Sequence, residues 1–449
     1  MHDLDAWLPR AAALRPHRAA LITGDGAVTT YAELHAMARR ATAALAAAEV
    51  GEGDRIALDL PPGPGFVATL HAALGVGAAV VPVDSRLAPA EQERRSAGAK
   101  LVVRDDPPPA GAPELPLAER LRPDAVATVM HTSGTTAAAK QVELTNSNWH
   151  WNALGSALAL GLDPAERWLS TLPLSHVGGL SILIRSAVYG TTVVLHERFD
   201  AARVAAALAS DEQRITLVSL VATTLQRTLD AGLDHPPHLR CALIGGGPLA
   251  PALAARATAA GIAAAQSYGM TETCSQVSTS LPGEPETVGR ALAGSRIALA
   301  DDGEILVAGE TVARTAVAGD GWLHTGDLGA FDAAGRLTVT GRKADTIVSG
   351  GENVAPQEVE AVLAEHPAVA DAGVYGRVDA EWGEALVAAV VTREGVVGDA
   401  KLAAALRDHV ANELARFKVP KQVVFAAELP RTPSGKLLRR ELRGFGSLA

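Results

Sequence analysis

Hydroxyls, glycines and a cation are the groups that wrap a polyphosphate, and they occur together in TSGTTAAAK, Thr132 to Lys140. The run follows the apolar segment AVATVM. Thr132, Ser133, Gly134, Thr135 and Thr136 therefore leave a strand end with hydroxyls and backbone N–H groups able to face phosphates, and Lys140 adds a positive charge. An ordinary turn leading into an alanine-rich helix fits the same residues. The loop is not of the Walker type, because G-x-x-x-x-G-K-[ST] is absent. In LPLSHVGGLSILIRSAVYG, His176 precedes a Gly-Gly pair, where a side chain can approach a ligand closely. A satisfied structural histidine is the plain alternative. Arg185 follows in an apolar stretch, either solvated or facing a buried carboxylate.

Gly245, Gly246 and Gly247 follow the apolar CALI run, and glycines there let backbone lie against a flat ring or a phosphate, or simply make a tight turn. QSYGMTETCSQ holds Tyr268, able to stack on a base, then Gly269 and Thr271. Glu272 could hold Mg²⁺ among hard oxygens, and the polar Ser275 and Gln276 complete the run. In WLHTGDLG, Asp327 sits on a glycine-flanked turn where a carboxylate could grip both hydroxyls of a ribose. GRKADTIVSGGENVAPQEVE contributes Arg342, Gly350 and Gly351, and PRTPSGKLLRREL places Lys436 on a Ser-Gly turn. A lysine in a terminal loop is ordinarily just solvated. It becomes functional only if a mobile domain swings it into a cleft.

The elements that must position these groups alternate strand and helix. TTYAELHAMARRATAALAAA opens with Thr30 and Glu33 at capping-box spacing and has apolar residues at helical intervals. RIALDL, AVVPVD, LVVRD, residues 192–199, 215–221 and 240–244 read as short buried strands, and GFVATLHAALGV as a helix between two of them. The pattern implies an α/β fold with largely parallel, covered sheets. From about 286 to 342 helices thin out, and EILVAG and RLTVTGR suggest a small β-rich subdomain. Beyond Arg342 come a helix opening with Pro356, the strands VADAGVYGRV, ALVAAVVT and QVVFAAEL, and a helix KLAAALRDHVANEL. The expected division is therefore an N-terminal domain over 1–343 and a small α+β C-terminal domain over 344–449, hinged near 343–345.

Composition narrows the function classes. Hydrophobic residues make up 48% of the 449 and charged ones 20%, as in globular proteins. With 50 acidic against 40 basic residues the formal charge is −10, which argues against nonspecific nucleic-acid binding. Any polyanionic substrate must then be met by local cations and glycine-rich turns. No apolar run reaches the roughly 18 to 20 residues of a spanning helix, so no membrane insertion is expected. The N-terminal residues lack a charged-then-apolar signal layout, so a cytoplasmic location is expected. Cys241 and Cys274 form no C-x-x-C pair and read as reduced, buried thiols.

The ordered set of segments resembles the adenylate-forming superfamily of acyl-CoA ligases, peptide-synthetase adenylation domains and luciferases. Within it, GLSILIRSAVYG, IGGGPL, YGMTETCSQV and KADTIVSGGENVAPQEVE are similar to the o-succinylbenzoate–CoA ligases of menaquinone biosynthesis. The resemblance implies a large N-terminal region of packed subdomains and a mobile C-terminal lid. ATP and coenzyme A would be substrates beside a small carboxylic acid, with Mg²⁺ as cofactor, and a homodimer is allowed. By position, Thr132 to Lys140 would be the phosphate loop, Gly245 to Gly247 and Gly269 would border the nucleotide, and Tyr268 would stack on adenine. Thr271 and Glu272 would meet phosphate and Mg²⁺, and Asp327 and Arg342 the ribose. Lys436 would bridge carboxylate, α-phosphate and ribose, while His176 would gate the acyl site between half-reactions. Arg185, Ser275 and Gln276 would face the acyl substrate, with Arg185 on a second carboxylate. Gly350 and Gly351 would line the thiol channel, and Ala344 takes the hinge position, where the superfamily often has Asp or Lys.

The phosphate loop departs from the superfamily, whose T-G-x-P-K ending has Ala137 at its glycine and Ala139 at its proline here. Three alanines favour helix over an open loop, so slower adenylation is expected. Rival expectations are a general aryl- or short-chain acyl-CoA ligase, an adenylation enzyme loading a separate carrier protein, and a weakened ligand-binding relative. A serine hydrolase is disfavoured because G-x-S-x-G is absent, and a zinc enzyme because the close pair His235 and His238 flanks two prolines.

Overall fold

A computed structural model describes residues 2–132, 140–349, 352–379, 382–431, 437–442 and 444. The chain divides into two units, one of Met1–Ile297 with Val307–Leu323, the other of Ala298–Leu306 with His324–Ala449.

The first unit is built on two sheets. In the nine-stranded sheet, Ala264–Met270, Cys241–Ile244, Leu217–Leu220, Arg167–Ser170, Thr192–Leu195 and Ala19–Thr23 run parallel in that spatial order. Antiparallel strands close both edges. The five-stranded sheet is parallel through Leu101–Val103, Arg55–Leu58, Ala79–Pro82 and Val126–His131, with Gln141–Thr145 returning antiparallel along its edge. Helix Pro64–Gly75 packs against Arg55–Leu58 and Ala79–Pro82, whose residues are almost all apolar and buried. The segment 19–47 shows how locally this is encoded. Thr30 Oγ1 accepts from Glu33 N–H at 3.2 Å and Glu33 Oε2 accepts from Thr30 N–H at 2.8 Å, the reciprocal cap that starts helix Tyr31–Ala47. That helix buries Leu34, Ala38, Ala41 and Leu45 on one face.

The second unit contains the hairpin of Leu323–Phe331 and Leu337–Arg342, in which Asp327 lies opposite Arg342. Segment 298–306 belongs with it, and Gly329 N–H donates to the Gly303 carbonyl at 3.0 Å. Farther along, Glu352–Val354, Ile347–Ser349, Gly383–Thr392 and Val369–Asp379 form a sheet, with Gln422–Phe425 added parallel to Gly383–Thr392. Helices Pro356–Glu365 and Ala400–Glu413 bury Val359, Leu363, Leu406 and Val410 against Val374, Leu386 and Val390. This unit thus begins upstream of residue 344. The expected strand over 192–199 ends at Leu195, and that over LVVRD at Val103. The second stops where the apolar run gives way to Arg104.

Cys241 and Cys274 are free and buried. Among the described residues no helix is long and apolar enough to cross a membrane.

Candidate active site

Two strand ends in the first unit bring a cation and a carboxylate together. Strand Val126–His131 delivers Thr132, whose N–H donates to the Lys140 carbonyl at 3.0 Å, so both ends of the 132–140 loop are pinned to each other. Strand Ala264–Met270 runs into a 3-10 turn, Thr271–Thr273, and returns as Ser275–Thr279. Lys140 Nζ stands 3.7 Å from Glu272 Oε1, linking the two. Ser133, Gly134, Thr135 and Thr136, with Ala137 and Ala139, lie outside the described residues.

The turn is tightly specified. Thr273 Oγ1 accepts from Met270 N–H at 2.9 Å and donates toward the Met270 and Ser275 carbonyls. Cys274 and Ser275 take positive φ, +55° and +92°, which L-residues seldom adopt. A Cβ on Gly269 would sit 1.6 Å from the Ser275 carbonyl oxygen, so only glycine permits this close return. The Glu272 carbonyl accepts from Ala313 N–H at 2.8 Å, while its carboxylate faces Lys140. Such a segment, one carboxylate beside a threonine hydroxyl, fits Mg²⁺, which usually takes one or two protein carboxylates plus substrate phosphates. Among the described residues there is no cluster of three or more His, Cys, Asp or Glu able to hold a metal alone.

Glycines flank this turn. Strands Cys241–Ile244 and Ala264–Met270 pair in parallel, Ile244 opposite Gln266, which sets Gly245 beside Ser267; a Cβ there would lie 3.0 Å from Ser267 Oγ. Gly246 has φ +78°, and Gly247 has open space around it. Tyr268 is buried in the adjoining strand. The glycine turn therefore lies at the carboxyl ends of parallel strands, the usual place for a ligand in an open α/β sheet.

His176 is the half-buried N-cap residue of helix Val177–Tyr189, its carbonyl accepting from Leu180 N–H at 3.0 Å. Gly179 is obligatory there, because a Cβ would approach the Pro173 carbonyl to 2.3 Å. Arg185, nine residues after His176, is 2% exposed. Its Nε and Nη2 donate to Asn152 Oδ1 at 3.2 and 2.6 Å, and its guanidinium carbon lies 5.6 Å from the Trp168 ring centroid. Burial lowers its pKa, with Tyr189 and Cys274 opposing. The expected alternatives were solvent or a buried carboxylate; the structure supplies a carboxamide instead. Asn152 also donates to the Gln276 carbonyl at 3.1 Å. It joins Arg185 to the strand carrying Ser275 and Gln276, a role with no sequence signal beyond a polar residue in an apolar helix. Gln276 donates to Thr279 Oγ1 at 2.7 Å, while its buried Oε1 has no hydrogen-bond partner among the described residues.

In the second unit, Arg342 Nε lies 2.8 Å from Asp327 Oδ1 across the hairpin. Gly326 takes φ +70° so that its N–H can donate to Glu304 Oε1 at 2.9 Å. Burial favours the neutral form of Glu304, but this N–H and Lys343 outweigh it and hold the carboxyl below its ordinary range. Ala344 is exposed in the 3-10 turn Lys343–Asp345. Gly350, Gly351 and Lys436 lie outside the described residues.

The AMP-binding enzyme family matches residues 8–317, and the AMP-binding enzyme C-terminal domain matches residues 358–436. A 2-succinylbenzoate–CoA ligase of Bacillus subtilis is 37% identical, covering 97% of both chains. One of Geobacillus kaustophilus is 37% identical over 99% of this chain and 98% of its own. Among solved structures, the o-succinylbenzoate CoA synthetase of Bacillus subtilis in complex with its acyl-adenylate intermediate superposes with a TM-score of 0.89 at 36% identity, covering 99% of each chain. The same enzyme with ATP and magnesium gives 0.88 at 35% identity, over 98% of this chain and all of the other. With family matches to most of its length and a third of its residues shared with full-length relatives, the chain belongs to the AMP-binding enzyme family.

Proposed function

We propose that this chain is a cytoplasmic ATP-dependent acid–thiol ligase that converts o-succinylbenzoate to its coenzyme A thioester, a step of menaquinone biosynthesis. The observation that carries the reading is the approach of Lys140 to Glu272, 3.7 Å, in a chain alike over nearly its whole length to ligases of that name.

A carboxylate is a poor acyl donor because its leaving group would be an oxide. Attack of the substrate carboxylate on the ATP α-phosphorus breaks the α–β bridge, releases pyrophosphate and leaves an acyl-adenylate whose leaving group is AMP. Positioning two anions and neutralising the charge they accumulate is the main task of the protein. In this reading Glu272 and Thr271 would hold Mg²⁺, which when bound withdraws charge from the phosphate oxygens. Lys140 and the hydroxyls of the 132–136 run meet the phosphates, Tyr268 stacks on adenine, and Asp327 and Arg342 hold the ribose. Lys436 bridges carboxylate and α-phosphate. Attack of the coenzyme A thiolate on the acyl carbon then expels AMP, with Gly350 and Gly351 leaving room for the thiol arm and His176 at the acyl site.

The acid itself is inferred from Arg185. The acid o-succinylbenzoate has an aliphatic carboxylate to activate and a ring carboxylate left over. No carboxylate of the described residues pairs with the buried Arg185, so the second carboxylate would supply the missing counter-ion.

The test is mass-spectrometric detection of acyl-CoA from purified protein, ATP, Mg²⁺, coenzyme A and a panel of acids. The Ala137→Gly/Ala139→Pro variant, expected to use ATP better, is assayed alongside. A dominant o-succinylbenzoyl-CoA peak is expected. Product from other acids alone would discard the substrate, and absence of any thioester from both proteins would discard the ligase reading.

A further inference from the structure

Asn152, on helix Asn146–Leu160, is fully buried and joins two other elements at once. Its Oδ1 accepts from both Nε and Nη2 of Arg185, at 3.2 and 2.6 Å, on helix Val177–Tyr189. Its Nδ2 donates to the Gln276 carbonyl at 3.1 Å, on strand Ser275–Thr279, which leaves the Glu272 turn. Cys274, on the same return, lies close enough for the Arg185 charge to act on its thiol. A guanidinium only donates and a carbonyl only accepts, so the carboxamide oxygen faces Arg185 and its nitrogen faces Gln276. Both bonds to Arg185 fall on one edge of the guanidinium, and Nη1 donates to no described residue. The cation is thus fixed in place yet keeps its whole charge. Leucine at 152 would leave guanidinium and carbonyl unpaired. Aspartate would neutralise the cation and turn a carboxylate oxygen toward the Gln276 carbonyl. Asparagine is the side chain of that shape that does neither.

We propose that Asn152 is a positioning residue that sets specificity for a dicarboxylic acid, holding Arg185 by a neutral oxygen so that its charge stays available to the substrate's second carboxylate. The proposal rests on the o-succinylbenzoate reading, in which that carboxylate reaches Arg185. A buried cation already paired with a protein carboxylate offers an incoming anion little net attraction, and a second negative charge beside the first is repelled. A cation with no tether would instead have to be ordered at each binding event, at a cost in side-chain entropy. A carboxamide avoids both.

The test compares o-succinylbenzoate with the same acid lacking its ring carboxylate. Where the monoacid is not turned over, its inhibition constant stands in for its Michaelis constant. Asn152→Asp should raise the Michaelis constant for the diacid about thirtyfold and shift that for the monoacid by no more than about threefold. Asn152→Ser, neutral but too short to hold both nitrogens, should raise the diacid constant about fivefold and the monoacid constant by less than about twofold. In both variants kcat with the diacid should stay within about threefold of the parent. A merely structural asparagine would move both acids alike, so equal rises would overturn the proposal. An Asn152→Asp variant no worse than Asn152→Ser for the diacid would overturn it as well. If circular dichroism shows that Asn152→Asp does not fold, the difference between the two acids in Asn152→Ser decides alone. A parent chain that makes no o-succinylbenzoyl-CoA removes the substrate reading and this role for Asn152 together. A parent that makes it, with variants that respond alike to both acids, removes the role of Asn152 alone.

Discussion

Arg185 is a cation that folding has removed from water and given one carboxamide oxygen in return. Guanidinium does not deprotonate in proteins, so the charge stays and the cost of its burial is offset only in part by Asn152 and the Trp168 face. An arriving carboxylate would complete it. Replacing Arg185 by Met keeps most of the volume and removes the charge. The Michaelis constant for o-succinylbenzoate should then rise tenfold or more, roughly 1.4 kcal/mol, while that for an acid lacking the second carboxylate rises no more than about threefold. Equal rises for both acids would make Arg185 a structural partner of Asn152. The other conspicuous residue is Ser275, at φ +92° on the return from the Glu272 turn. Its strained backbone is what aims Glu272 one way and Gln276 the other.

Helix Pro64–Gly75 is the element whose environment most limits its chemistry. It is buried on nearly every side, starts at Pro64 where the missing N–H costs nothing, and carries His71 inward. Burial pulls the His71 pKa down from 6.5 to about 4, and its Nε2 has no hydrogen-bond partner among the described residues. Between those values the unfolded chain binds a proton that the folded chain refuses. The stability of the fold is therefore complete above pH 6.5 and falls as pH drops toward 4. From pH 7 to pH 5 this one group should cost about 2 kcal/mol. Urea unfolding midpoints at the two pH values should converge in His71→Leu relative to the parent. An undiminished pH dependence in the variant would show that His71 takes up its proton equally in the folded and unfolded chain. Other elements are set by local signals, as when the Thr30–Glu33 cap starts a helix that its apolar stripe then buries.

Across the whole molecule the residues assigned to ATP fall into both units. The Lys140–Glu272 pair belongs to the first and the Asp327–Arg342 pair to the second. Lys436, assigned from the resemblance, lies three residues before Arg439, which pairs with Asp345 and Glu360. A single rigid arrangement would require Lys436 at the cleft in both steps. With a turning lid, Lys436→Ala should abolish pyrophosphate release yet leave thioester formation from preformed acyl-adenylate within about threefold of the parent. Equal loss of both steps would count against the turning lid.

Much of this protein was legible in its residues because the relevant physics is local. Strand–helix alternation, the cap at Thr30 and the proline starts at Pro64 and Pro356 all depend on neighbours in sequence. So did the order of the motifs, which carried the family. What depended on tertiary structure were contacts between residues far apart in the chain. Nothing in ordinary spacing says that Lys140 meets Glu272, that Asn152 takes Arg185 in place of a carboxylate, or that Arg439 reaches back to Asp345 and Glu360. QSYGMTETCSQ reads as an irregular, polar run, yet it is a strand, a 3-10 turn and a returning strand, because Gly269 lets the two backbones close on each other. Sequence determined which groups were present and which elements would carry them. The partner each charge found was decided only when packing brought distant segments within a few ångströms of each other.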